Sequence, residues 1–167
     1  IWHKKSFLEK APIPTPVDIE REREKVSIAK WVSRKYRVSY KPTKEIVNSA
    51  FNASDIFEID AHLIIAIIAI ESSFNPLAES SAGAQGLMQI MPKIHKEKFE
   101  KHGGFEKILE VRTNIFVGSE ILSNYYRRYG SYRRALLAYV GVRQSSKSRY
   151  PDKVFRIQKR LKKMVRG

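Results

Sequence analysis

From Ala61 to Glu71 the chain reads AHLIIAIIAIE, so that every position from Leu63 to Ile70 is apolar and the next is a carboxylate. A helix built from this run has no polar face to offer water. The pattern therefore predicts a helix buried on most sides, around which any core of this chain must form. A membrane span needs about 18 such residues, and the run falls well short of that. Asp60 suits an N-cap before it, and Pro76, with Ser72, Ser73 and Asn75, brings it to an end. Glu71 then has two readings. At the inner end of a core helix, desolvation disfavours the charged form and raises the pKa, which makes a general acid. A helix that simply reaches the surface at Glu71 would carry the same residue, and the run alone does not decide between the two.

The next stretch, Gly83-Ala84-Gln85-Gly86-Leu87-Met88-Gln89, sets glycines and amides shortly after the carboxylate. Glycine lets a backbone approach a ligand, and Gln offers both donor and acceptor to sugar hydroxyls and N-acetyl groups. Taken in order, ESSFNPLAES, GAQGLMQIMP, Asn114 with Gly118 and Leu122, and Ala138-Tyr139 resemble the successive motifs of soluble lytic transglycosylases. These are lysozyme-like enzymes that cleave bacterial peptidoglycan. The resemblance covers about residues 56 to 142, and four motifs in order make it specific where any one would be weak.

That resemblance implies a compact helical lysozyme-like domain, all-α or at most α+β, whose buried central helix ends at the catalytic Glu71. It implies cleavage of the MurNAc-GlcNAc β-1,4 bond with formation of 1,6-anhydroMurNAc, Glu71 acting as single acid and base. Ser72 would contact substrate, and Gly86, Leu87, Met88 and Gln89 would line the sugar cleft. Asn114 would support that cleft, and the Tyr139 hydroxyl would reach Glu71. Residue by residue, plainer roles also exist: a helix-ending Ser, a core Met, a helix-capping Asn, a core Tyr. Many family members carry Asn after the Ala-Tyr pair; this chain has Val140 followed by Gly141. The departure puts one substrate contact in question and leaves the surroundings of Glu71 intact.

Glycosidases usually need two carboxylates unless the substrate assists. Asp60 lies eleven residues before Glu71, roughly 16 Å along one helix, too far to share a sugar ring. Glu79 stands in a loop and reads best as a surface residue. One carboxylate is therefore expected. A goose-type-lysozyme-like hydrolase, or a non-catalytic peptidoglycan-binding envelope protein, would share the same motifs.

The 167 residues carry 43% hydrophobic content, no cysteine and a net charge of +15. Length and apolar content fit one folded domain. Charge is unevenly spread: residues 51–100 hold 3 basic and 7 acidic groups, whereas residues 101–167 hold 17 and 4. Basic flanks suit a polyanion, either peptidoglycan itself or an anionic envelope surface. Nucleic acid is not expected, since charge is its only support. His95 and His102 lack a third ligand at metal spacing and read as solvated loop residues, so neither metal nor cofactor is expected. The family implies the periplasm or cell envelope of a bacterium, and a monomer is expected.

For the rest of the chain, the Pro12, Pro14 and Pro16 run marks residues 1–17 as an extended leader, with a single domain over 18–167. Helices are expected from an Asp18 cap to Tyr36, from a Thr43 cap to Phe57, from Asp60, from Thr113 or Asn114 to Gly130, from a Ser131 cap, and from Pro151 or Asp152. A small hairpin near residues 80–90 is the only β-structure expected.

Overall fold

The computed structural model describes residues 11–165, and among these the chain is all-α with no sheet. Helices run α1 Pro16–Tyr36, α2 Tyr40–Phe57, α3 Ala61–Ser72, α4 Lys96–Lys101, α5 Val111–Tyr129, α6 Tyr132–Tyr139 and α7 Tyr150–Val165. The first ten residues of the expected leader lie outside the described residues. Pro12 and Pro14 are exposed and precede any helix, but Pro16 is already the first residue of α1.

That boundary follows from capping chemistry. Thr15 is the N-cap, and its side chain and that of Asp18 exchange hydrogen bonds with each other's backbone N–H in a capping box. Asp18, expected as the cap, is thus its partner at N3. At α2 the cap residue is Ser39, and Pro42 sits inside the first turn, where its missing N–H costs nothing. Thr43 instead ties back to the Ser39 carbonyl at 2.7 Å. Helix α5 opens at Val111 and α7 at Tyr150, a few residues earlier than the sequence suggested.

Helix α3 is the core element the sequence demanded. Residues 63–68 are fully buried and Ala69 nearly so. It packs against α2 and α7, while α5 closes on α2 and α6. Each fully buried Ile or Leu contributes about 1.5–3 kcal/mol relative to an exposed one, so this single turn sequence supplies a large part of the core. Asp60 caps it as expected, its side chain accepting from the His62 N–H at 3.2 Å.

The end of α3 positions the site. Ser73 and Phe74 both adopt positive φ, 49° and 65°, which L-residues seldom do. Burial of the Phe74 ring, edge-on to Tyr36 at 4.9 Å, holds this turn in place. The reversal sends residues 75–91 back across the C-terminus of α3. That segment is pinned by Gly86 N–H to the Ala78 carbonyl at 2.8 Å and by reciprocal Gln85 and Ile90 bonds at 3.0 Å. The expected hairpin is thus two isolated bridges, Glu79 with Gln85 and Gln85 with Ile90. The positive φ of Gly86, 83°, turns the chain too soon for a ladder to extend.

Candidate active site

A cleft of about 350 Å³ opens where α3 ends, and its lining comes from four places in the chain. Helix α3 contributes Glu71; the 75–95 segment contributes Ser80, Gln89, Met91 and His95; α5 contributes Ile121 and Tyr125; and the end of α6 contributes Tyr139 and Val140. Among the described residues Glu71 is the sole carboxylate in that lining, and no lysine or arginine joins it.

Burial is the dominant influence on Glu71 and raises its carboxyl above the ordinary range, while the Tyr150 hydroxyl pulls the other way by favouring the charged form. Their contact is a near approach rather than a closed hydrogen bond. The Tyr150 hydroxyl is buried and has no partner of full hydrogen-bond geometry among the described residues. Burial, then the charge of Glu71, pushes the Tyr150 phenol far above its usual range, so it stays a neutral donor.

This reassigns the role expected of Tyr139. Its hydroxyl is aimed at the Met88 carbonyl, 2.7 Å away, and its proton is spent there. Tyr139 still lines the cleft, and burial followed by the Glu71 charge raises its pKa. It braces the loop, and Tyr150 is the hydroxyl that faces the carboxylate.

Ser72 also departs from expectation. Its hydroxyl donates to the Ile68 carbonyl one turn back at 3.0 Å, and it is not in the cleft lining. Ser80 is, held by a turn in which its Oγ accepts the Ala84 N–H at 3.0 Å. Of the Gly86–Gln89 stretch, only Gln89 lines the cleft. Its amide nitrogen donates inward to the Ala78 and Gly86 carbonyls, both at 3.0 Å, and its backbone has positive φ. Leu87 and Met88 are buried core, Met88 packed on the bare face of Gly118. Gly86 is required for closeness, since a Cβ there would meet the Asn114 amide.

Asn114 lies beneath the loop that carries Gln89. Fully buried, it accepts the Met88 N–H at 2.9 Å and donates to the Gln85 and Ile108 carbonyls at 3.0 and 2.9 Å. Both of its N–H donors and its carbonyl oxygen are engaged, two of the three bonds going to the loop and one to the Ile108 carbonyl. The two histidines are not solvated loop residues. His95 is half-buried in the cleft wall, where burial and then Lys98 lower its pKa. His102 is paired with Glu120 at 2.6 Å and set edge-on to Phe57 and Phe116. Among the described residues no three or more His, Cys, Asp or Glu gather as a metal site.

Sequence reasoning missed Tyr150, Ser80, His95 and Tyr125. Tyr150 lies 79 positions after Glu71 and no local pattern links them. Ser80 carried a weak signal, a Ser four residues before a backbone amide it can cap in a turn.

The family model described as transglycosylase SLT domain matches residues 48–153. The transglycosylase of Enterobacteria phage PRD1 is 35% identical over 109 residues, covering 62% of this chain and 39% of that protein. The soluble lytic murein transglycosylase of Escherichia coli strain K12 is 37% identical over 81 residues, 46% of this chain and 13% of that one. Among solved structures, an inactive mutant of the lytic transglycosylase Slt from Pseudomonas aeruginosa aligns with a TM-score of 0.53 at 24% identity, covering 71% of this chain and 22% of that chain. That likeness is one of fold. The chain spans well under half the length of these relatives.

Proposed function

The chain belongs to the transglycosylase SLT domain family, and from that premise we propose that it is a peptidoglycan lytic transglycosylase, with Glu71 as its single acid and base. The observation that carries this reading is the lone, desolvated carboxylate of the cleft, whose raised pKa keeps a proton available for transfer.

In the first step Glu71 donates its proton to the glycosidic oxygen of a MurNAc-GlcNAc bond, and the C1–O bond breaks. The N-acetyl oxygen of the same muramic residue attacks C1, a role that a second carboxylate would otherwise fill. In the second step ionised Glu71 takes the proton of the C6 hydroxyl. The C6 oxygen then attacks C1, displaces the N-acetyl oxygen and closes the 1,6-anhydro ring. Tyr150 favours the ionised carboxylate between the steps, and the apolar walls of Ile90, Met91, Ile121 and Val140 limit competing water.

On this reading the protein acts in the periplasm or cell envelope of a bacterium, where peptidoglycan lies. Mass analysis of muropeptides released from purified cell walls tests the proposal. Products ending in 1,6-anhydroMurNAc are expected; reducing ends instead would make the protein a hydrolase, and no release would leave it a binding module.

A further inference from the structure

Peptidoglycan carries carboxylates on its lactyl groups and peptide stems, yet no cation lines the cleft and Glu71 would repel them there. Any complementary charge must lie outside it. Between residues 127 and 163 the chain holds 13 lysines and arginines against a single carboxylate, Asp152. At one point these cations enclose a space: Arg149, Lys153 and Arg156, with Asp152, line a surface depression of about 390 Å³.

Arg149 stands immediately before α7, and Lys153 and Arg156, three residues apart, share one face of its first turns. None has an ion pair or hydrogen bond with another side chain among the described residues, although all are exposed. Asp152 is engaged by Arg133 at 2.5 Å, and that hydrogen bond, followed by the charges of Arg133, Arg149 and Arg156, holds its carboxyl below the usual range. The depression therefore presents three cations without a partner and one ionised carboxylate, which Arg133 holds. Arg149 directly precedes Tyr150, the residue whose hydroxyl faces Glu71, so the chain runs directly from the rim of the depression to the residue beside the cleft carboxylate.

We propose that Arg149, Lys153 and Arg156 form an anion site that takes a peptide-stem carboxylate of the same glycan strand whose sugars occupy the cleft. The site depends on the cleft reading above and adds to it a preference for strands that keep their stems. Two arginine forks and a lysine suit a carboxylate through charge-assisted hydrogen bonds.

The test compares binding of the full chain to intact cell walls and to glycan strands stripped of their peptides by an amidase. The variant with Arg149→Gln, Lys153→Gln and Arg156→Gln should bind intact walls about tenfold more weakly than wild type, the scale of one or two lost charge-assisted bonds. It should bind stripped strands unchanged. Asp152→Asn, which removes the site's one negative charge, should bind intact walls more tightly, a gain that misfolding cannot produce. Equal losses on both polymers, no loss on intact walls, or unchanged binding by Asp152→Asn would overturn the site. A loss seen only with vesicles of anionic phospholipid would overturn it in favour of a membrane surface. If wild type neither binds nor cleaves stripped strands, the cleft reading itself falls, and the stem site with it.

Discussion

Glu71 and the Tyr150 hydroxyl face each other where α3 ends. Glu71→Gln keeps the shape and removes the transferable proton, so turnover on cell walls should fall by about 10²–10⁴. Its melting temperature at neutral pH should equal or exceed that of wild type. The sign follows from desolvation: the folded state disfavours the ionised carboxylate, whose burden an amide does not share. A muropeptide assay and a thermal melt check both halves. Tyr150→Phe removes the one group that opposes desolvation at Glu71, so the Glu71 pKa should rise further. In the proposed mechanism Glu71 must be protonated for the first step. The alkaline limb of the pH–rate profile should therefore move to higher pH, which a merely structural ring would not cause. Tyr139→Phe should leave that limb in place, because its hydroxyl serves the Met88 carbonyl.

At the scale of elements, the cleft depends on how α5 and α3 hold the loop between them. Gly118 faces Met88 so closely that a Cβ there would come within 2.9 Å of the Met88 Cβ and 2.5 Å of its sulfur. Ala is a better helix former than Gly by about 1 kcal/mol, but overpacking a full core costs about 1–3 kcal/mol. Met88 is fully buried and has nowhere to go. Gly118→Ala should lower the melting temperature and also activity, since Met88 anchors Tyr139. A second joint lies at the other end of α3. His62 bonds Asp60 at 2.9 Å and Glu24 of α1 at 2.6 Å, while Asp60 also takes Gln158 and Lys162 of α7 at 2.8 and 2.9 Å. Burial alone would lower the His62 pKa, but the two carboxylates together raise it. Burial likewise works against ionised Asp60, and its three donors outweigh that and hold the carboxyl down. The His62 contribution is thus complete below the unfolded value of about 6.5 and fades as pH rises through the higher folded one. His62→Gln should cost about 1–3 kcal/mol near pH 6, with a narrower gap near pH 9, in paired thermal melts.

Across the whole molecule, charge and chemistry are kept apart. Among the described residues the cleft is lined by one carboxylate and by no lysine or arginine, whereas the surface of α6, α7 and their connection is strongly basic. Polyanion attraction can act there without neutralising Glu71, because exposed charges are screened over about 8–10 Å at physiological salt. The proposed mechanism needs no Lewis acid, its protons being moved by Glu71. Sugar release should therefore continue undiminished in excess EDTA. A loss restored by one divalent ion would point to His95, among the described residues the only histidine in the cleft lining.

The sequence by itself determined the core and the place of its terminal carboxylate. An unbroken apolar run can be satisfied only by burial, so α3 had to be central, and Glu71 had to stand where that burial ends. Asn114 and the glycines were legible too, because a motif records local backbone demands: Gly86 at positive φ beneath an amide leaves little choice of residue. Tertiary structure alone decided which hydroxyl serves the acid. Tyr139 and Tyr150 are both aromatic residues at helix ends, and nothing in their neighbours distinguishes a hydroxyl that meets the Met88 carbonyl from one that meets Glu71. That choice depends on how α6 and α7 pack against each other and on α3, through contacts between residues dozens of positions apart. The same holds for Ser72 and Ser80: one is carried by helical geometry to its own backbone, and the other is returned to the cleft by the strained turn at Ser73 and Phe74.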